Sequence, residues 1–196
     1  MSPKPNVSGE RTEQIIEAAL KVFAERGVER ARMEDVGAAA GLSKATLYLY
    51  FRTKDALIGV ILHRLFDHML ADLLKIPESE EPVRERLRGF INRFVEEFNR
   101  MEPLMPLLYE CYAIGLRKAS TREIFGEFVG GFISTFTPII EQGIARGELR
   151  AVDAEKTAVA IGAVLEGTLL LWAFAPDRVN FQEQITYDME LLLAGL

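Results

Sequence analysis

Apolar residues recur at helical spacing along almost the whole chain, and nowhere do they alternate as in a half-buried strand. From Arg11 to Arg26, Ile15, Ala18, Ala19, Val22 and Phe23 form an i, i+3, i+4 stripe that Gly27 ends. Val28 packs the connection to a short second helix, where Glu34 and Asp35 occupy the first turn and Val36, Ala39 and Ala40 point inward. Gly41 can take a positive φ after that helix, Leu42 plugs the corner, and Ser43 can cap a third helix whose Leu47 and Phe51 face the core. Thr53 is a plausible cap for a fourth helix with Ile58, Ile61, Leu62, Leu65, Phe66, Met69 and Leu73 along its inner stripe, ending before Pro77. A polar linker, PESEEP, runs from Pro77 to Pro82.

The fifth helix carries Val83, Leu87, Phe90, Phe94, Phe98 and Met101 on one face. Pro103 and Pro106 open the sixth, with Leu107, Leu108, Cys111, Tyr112, Ile114 and Leu116. Ser120 to Glu123 reads as a capping box for a seventh helix that ends at Gly147 and should be kinked by Pro138. Asp153 starts an eighth, apolar on nearly every side, which Ala175-Pro176-Asp177 breaks. Asn180 with Glu183 caps a ninth, striped by Ile185, Met189, Leu192, Leu193 and Leu196. The expected fold is all-α: a three-helix head over residues 1–54 and a six-helix body over 55–196.

Composition narrows the class. The 196 residues are 49% hydrophobic and 27% charged, ordinary for a globular protein with an ample core. One cysteine, Cys111, excludes a disulfide framework and suits a reducing compartment; it is read as a core residue rather than a redox sensor. The start, MSPKPNVSGER, lacks the apolar centre of a signal peptide and is expected to be a disordered arm. No uninterrupted apolar run approaches the ~20 residues of a membrane helix, so a cytoplasmic location is expected. The net charge of −6 speaks against a nucleic-acid partner until the chain is divided. Residues 1–54 hold 9 Lys+Arg and 7 Asp+Glu, which leaves 14 and 22 for the rest. The head is therefore basic and the body acidic.

Within the head, no acid occurs from Gly37 to Lys54, while Lys44, Arg52 and Lys54 are basic and Thr46, Tyr48 and Tyr50 add neutral donors. A helix–turn–helix with such an outer surface is suited to phosphates and to a DNA major groove. The run Val36-Gly37-Ala38-Ala39-Ala40-Gly41-Leu42-Ser43-Lys44-Ala45-Thr46-Leu47-Tyr48-Leu49-Tyr50-Phe51-Arg52-Thr53-Lys54-Asp55 resembles the DNA-binding region of the TetR family of bacterial repressors. Gly37 stands where that pattern has alanine, which lowers helix propensity but permits close approach. The detailed resemblance runs from Arg11 to about Leu62; beyond it only length, helix number and a few caps agree.

The resemblance implies a homodimeric, ligand-responsive repressor of a palindromic operator, not an enzyme, with double-stranded DNA and a small apolar or aromatic effector as partners. Ser43, Lys44, Ala45, Thr46, Tyr48, Leu49, Tyr50 and Lys54 are the expected DNA contacts, with Arg32 either on a phosphate or in a salt bridge to Glu34 or Asp35. Tyr48, Tyr50 and Lys54 are favoured for backbone grip. The aromatic and methionine stripes of helices four to eight suggest an effector region: Phe66, Met69, Phe90, Phe94, Met105, Tyr109, Tyr112, Phe128, Phe132, Glu166 and Leu169, though such stripes equally make ordinary core. Helices eight and nine are expected at a two-fold interface through Val164, Leu165, Leu171, Trp172, Ile185, Met189 and Leu192. Glu166, amid leucines, calls for an arginine partner, the dimer seam or a hydrated cavity. His63 and His68 do not share a face, and no metal site or cofactor is expected. No phosphate loop, zinc motif or nucleophile elbow occurs. An all-α carrier or enzyme would leave the acid-free stretch unexplained; a DNA-binding protein without a ligand is the other alternative.

Overall fold

Four of the helices begin at a side chain that accepts an unpaired N–H of the first turn. The computed structural model describes residues 7–73 and 81–196, and among these every regular element is helical. The elements are α1 (Val7–Arg26), α2 (Met33–Ala39), α3 (Lys44–Tyr50), α4 (Lys54–Leu73), α5 (Val83–Met101), a 3-10 turn (Glu102–Leu104), α6 (Met105–Arg117), α7 (Ala119–Ala145), α8 (Ala154–Phe174) and α9 (Phe181–Ala194). Ser43, Thr53, Asp153 and Asn180 each accept an N–H from three residues on, at 3.0–3.1 Å. The all-α expectation holds.

Two local expectations change. Helix α1 starts at Val7, so residues 7–10 are its first turn rather than part of a disordered arm; residues 1–6 lie outside the described residues. Helix α7 starts at Ala119, and the Arg122 N–H donates to the Lys118 carbonyl at 3.0 Å, so Ser120 sits inside the first turn instead of capping it. Of the expected linker only Glu81 and Pro82 are described, and Pro82 precedes the first turn of α5. Pro138 lies within α7 as read from sequence.

Two compact units emerge, Met1–Leu65 with Leu104–Phe125, and Phe66–Pro103 with Gly126–Leu196. The first therefore joins α6 to the head helices, a division the boundary after Lys54 does not reproduce. Its core gathers Ile15, Ala19, Val22, Phe23, Val28, Val36, Leu47, Phe51, Leu57 and Leu62, with α6 contributing Leu108 and Cys111. Glu110 of α6 is exposed, and its carboxylate accepts the Val28 N–H at 2.5 Å in the α1–α2 connection. Lys118 pairs with Asp55 at the start of α4.

In the second unit Phe90, Phe136, Ile140, Ile161, Ile185, Met189 and Leu193 are fully buried. Phe98, Trp172 and Phe181 pack together, with ring centres 3.8 Å apart for the two phenylalanines and 4.8 Å for Phe98 and Trp172. A large side chain taken out of water in this way contributes roughly 1.5–3 kcal/mol. Helix α8 has 21 residues and is apolar enough, by length and composition alone, to cross a bilayer. Here its Thr157, Ala158, Ile161, Leu165, Thr168 and Leu169 face the unit's own core, as in the core helix of a globular body. Thr168 lies 2.8 Å from the Asp188 carboxylate of α9, so the buried hydroxyl is satisfied.

Candidate nucleic-acid interface

The turn between α2 and α3 closes as the residues dictate. Gly41 takes φ 64°, its N–H donates to the Ala38 carbonyl at 3.1 Å, and the Leu42 N–H reaches back to Gly37 at 2.9 Å. This doubly bonded helix end requires a left-handed residue, which glycine supplies without strain. Gln14 of α1 donates to the Ala40 carbonyl at 2.7 Å and ties α1 to the turn. A Cβ on Gly37 would stand 3.4 Å from the Leu42 carbonyl oxygen and from Leu47 Cδ2, an ordinary contact, so the alanine usual here would also fit.

Helix α3 buries Leu47 and leaves the opposite side open. Ala45 and Leu49, four residues apart, are exposed at the centre of that side, and Leu49 is 83% exposed. Lys44 and Tyr48 flank this ridge on one side, Thr46 and Tyr50 on the other, with both tyrosines and Thr46 half-buried. Ser43 caps the helix and its hydroxyl also lies 2.8 Å from that of Thr46. Two methyl-bearing side chains between two rows of donors can meet thymine methyls while hydroxyls and an ammonium reach base edges or phosphates. Lys44 pairs with Glu34 of α2 at 2.6 Å and sits 5.8 Å from the Tyr48 ring centre. That bond holds the Glu34 carboxyl below its ordinary range and the Lys44 ammonium above its own. Both groups are well exposed, so the pair is weak and an incoming phosphate can replace it.

Arg32 is exposed and forms neither of the salt bridges considered for it. Asp35 is held by Arg26 at 2.7 Å and accepts the Arg32 backbone N–H at 2.9 Å, while Glu34 is taken by Lys44. The Arg32 guanidinium has no ion pair among the described residues. It lines an open cleft of about 610 Å³ with Glu29, Arg30, Ala31, Met33, Tyr48 and Lys54. Arg30, which sequence reasoning did not single out, belongs to this cleft; its position in a short charged connection offered no periodic signal.

Lys54 has a different place from the one expected. Its ammonium donates to the carbonyls of Val28 at 2.7 Å, Glu29 at 3.0 Å and Ala31 at 3.0 Å. All three N–H donors are used within the chain, so none remains for a phosphate, although the charge still contributes to the local field. Lys54 is thus the clasp of the α1–α2 connection rather than a direct backbone grip. Only the folded chain shows this, because the acceptors lie some 25 residues away.

The effector-region residues divide between the two units. In the first, Met105 is buried, and half-buried Tyr109 and Tyr112 lie with ring centres 5.9 Å apart, Tyr112 stacking on Phe125 at 4.4 Å. In the second, Phe66 stacks on Phe128 at 4.3 Å and Phe132 on Phe136 at 4.5 Å, while Phe90 and half-buried Phe94 are 5.9 Å apart. Leu169 is buried and Met69 half-buried. Glu166 is exposed on its unit, so the buried carboxylate feared from sequence does not arise there. His68 lies 3.4 Å from the Glu97 carboxylate, and no metal-ligating cluster occurs among the described residues.

The expected interface residues of α8 and α9 face two ways. Leu165, Ile185 and Met189 are buried within their own unit and cannot meet another chain; Val164, Trp172 and Leu192 are half-buried, and Leu171 is 63% exposed. The exposed apolar residues of these helices are instead Val159, Leu170, Leu171 and Phe174 on α8 and Tyr187 and Leu191 on α9. A helix apolar on every side does not reveal by its pattern which side turns inward.

Comparison with known proteins agrees with this geometry. The family model described as bacterial regulatory proteins, tetR family, matches residues 15–61, and that of the C-terminal part of BetI-type transcriptional repressors matches 82–194. The HTH-type transcriptional regulator TtgR of Pseudomonas putida is 29% identical over 177 residues, covering 85% of this chain and 82% of that protein. A TetR transcription regulator from Haloarcula marismortui superposes with a TM-score of 0.85 at 19% identity, covering 96% and 98% of the two chains. The regulator FadR of Bacillus subtilis, solved in complex with stearoyl-CoA, superposes with 0.76 at 22% identity over 94% and 98%.

Proposed function

The chain belongs to the tetR family of bacterial regulatory proteins, DNA-binding regulators of transcription, and on that premise we propose a homodimeric repressor released from a palindromic operator by a small apolar ligand. The observation that carries the reading is the outer side of α3, where the Ala45–Leu49 ridge runs between two rows of donors on an acid-free helix. In this reading α3 enters a major groove. Ala45 and Leu49 read thymine methyls, Lys44, Thr46 and Tyr48 reach base edges and nearby phosphates, and Tyr50 and Arg32 hold the backbone. Lys54 acts by shaping the Arg30–Arg32 segment.

Two heads on one duplex need a two-fold partner. The exposed apolar residues Val159, Leu170, Leu171, Phe174, Tyr187 and Leu191 are the candidate, since single exposed apolar residues are common but six on two packed helices are not. The heads then fall on half-sites about 34–36 Å apart or a multiple of this. Release requires that the effector bind a head spacing that misfits the operator more tightly than the spacing that fits. The Bacillus subtilis relative holds stearoyl-CoA, and a long apolar chain suits the many phenylalanine rings of the second unit.

The test is binding of the purified protein to genomic fragments, including the region upstream of its own gene, across a salt series. Saturable, sequence-selective binding by two chains per site is the expected result. Weak binding on every fragment that vanishes with salt would refute the operator reading and turn attention to an α-helical carrier. Selective binding unmoved by any ligand would identify a constitutive DNA-binding protein.

A further inference from the structure

Two arginines of α5 carry positive charge in the second unit, and among the described residues no carboxylate pairs with either. Arg86 is 5% exposed; one terminal nitrogen donates to the side-chain oxygen of Gln142 in α7, and its Nε is buried with no acceptor in reach. Arg93 follows seven residues on, hence on the same side of the helix, half-buried and with its Nε equally without an acceptor. Phe90 stands between them on that stripe, fully buried and edge-on to Phe136 at 4.9 Å. Gly89 beside them carries no side chain: a Cβ there would lie 3.6 Å from Arg93 Nη1.

Among the described residues, four acids of this unit hold other partners. Glu97 pairs with Arg100 at 2.6 Å and His68 at 3.4 Å. Glu85 and Glu190 both hold Arg88. Glu148 accepts the Val83 N–H and faces Arg146 at 3.8 Å. A lysine or glutamate in such surroundings could shed its charge, but a guanidinium stays protonated at any working pH. An ion withdrawn from water without a counter-ion is strongly unfavourable, and the neutral Gln142 amide offers only a dipole.

We propose that Arg86 and Arg93 form an anion subsite. It receives the carboxylate or phosphate head of an amphipathic organic acid whose apolar part lies along the phenylalanines of α5 and α7. The planar guanidinium forks suit two-oxygen acceptors, and Phe90 gives the adjoining apolar surface. That this anion is the effector rests on the regulator function proposed above; the binding itself does not.

The test titrates the purified full-length protein with dodecanoate, dodecyl phosphate and dodecan-1-ol, each below its aggregation limit. Binding is read by calorimetry and by the fluorescence of the single tryptophan, Trp172, which packs in this unit. The anions should bind on the order of 10- to 100-fold more tightly than the alcohol. The tighter of the two anions distinguishes a carboxylate from a phosphate head. Arg93→Gln should erase most of the preference while leaving alcohol affinity in place, and Arg86→Gln should do the same where a melting curve shows it folded. An alcohol as tight as both anions would overturn the subsite. So would no heat from any of the three, or an anion preference surviving in Arg93→Gln and in folded Arg86→Gln. Operator binding in the same preparations separates the claims. A protein that binds its operator without anion preference loses the subsite and keeps the regulator reading, and the reverse pattern does the opposite.

Discussion

Replacing Lys54 with methionine distinguishes a clasp from a phosphate contact. The ammonium bridges the carbonyls of Val28, Glu29 and Ala31 at 2.7–3.0 Å, and two of these bonds are part-buried. A hydrogen bond to a charged group contributes about 1.5–3 kcal/mol when well shielded. Because the ammonium is half-exposed and the Glu29 carbonyl can turn to water, the combined loss should be about 2–4 kcal/mol. For a chain of this length that lowers Tm by roughly 4–16 °C. Methionine keeps the apolar stem, so the loss reports the ammonium. In DNA-binding assays, each phosphate contact removed lowers the salt slope by ~0.9, or about 2 for two heads. With its donors already used, Lys54→Met should leave that slope near the wild-type value while affinity falls through a loosened Arg30–Arg32 segment. Measuring Tm by calorimetry and the slope by fluorescence anisotropy from 50 to 300 mM salt (on the order used for such series) decides the matter. An unchanged Tm with a slope about 2 lower would refute the clasp and restore Lys54 as a phosphate ligand.

Arg32→Gln should show the converse, an unchanged Tm and a salt slope lower by about 2 per dimer, in the same anisotropy assay. Leu171→Glu with Phe174→Glu places two charges on the exposed ridge of α8, 63% and 83% exposed respectively, without touching the unit's core; sedimentation should show monomers with wild-type helicity, and an intact dimer would move the interface elsewhere. Burial first, and the nearby Glu110 charge second, push the Cys111 thiol up to about 11. Its thiolate is then suppressed on the order of 100-fold, so a disulfide reagent at pH 8 should react only as the protein unfolds. Because the folded thiol holds its proton more tightly than the unfolded one, this group leaves stability untouched below its ordinary value of 9.0 and reduces it as pH rises from there toward 11. Rapid labelling of the native protein would contradict that burial.

What the sequence settled by itself is local. The caps at Ser43, Thr53, Asp153 and Asn180, the left-handed Gly41 and the inward Leu47 each depend on neighbours within a turn, so the helix-turn-helix and its outer face could be read directly. Capping fails as a guide where two starts compete: Ser120 matched a capping box, yet α7 begins at Ala119 because the Lys118 carbonyl accepts the first helical bond. Tertiary structure decided everything that depends on distant acceptors or on choosing one side of an ambiguous helix. Lys54 finds its partners some 25 residues back, and Glu110 reaches Val28 across 82. Helix α8 is apolar all round, so only packing against α9 shows that Leu165 turns inward with Ile185 and Met189 while Leu171 and Phe174 remain outside. Arg86 lies on the inward stripe of α5 by its spacing from Phe90, but its neutral Gln142 partner and unpartnered Nε emerge only when α5 and α7 come together. Helix periodicity is set by the backbone and is visible in one dimension; the pairing of charges is set by three-dimensional proximity and is not.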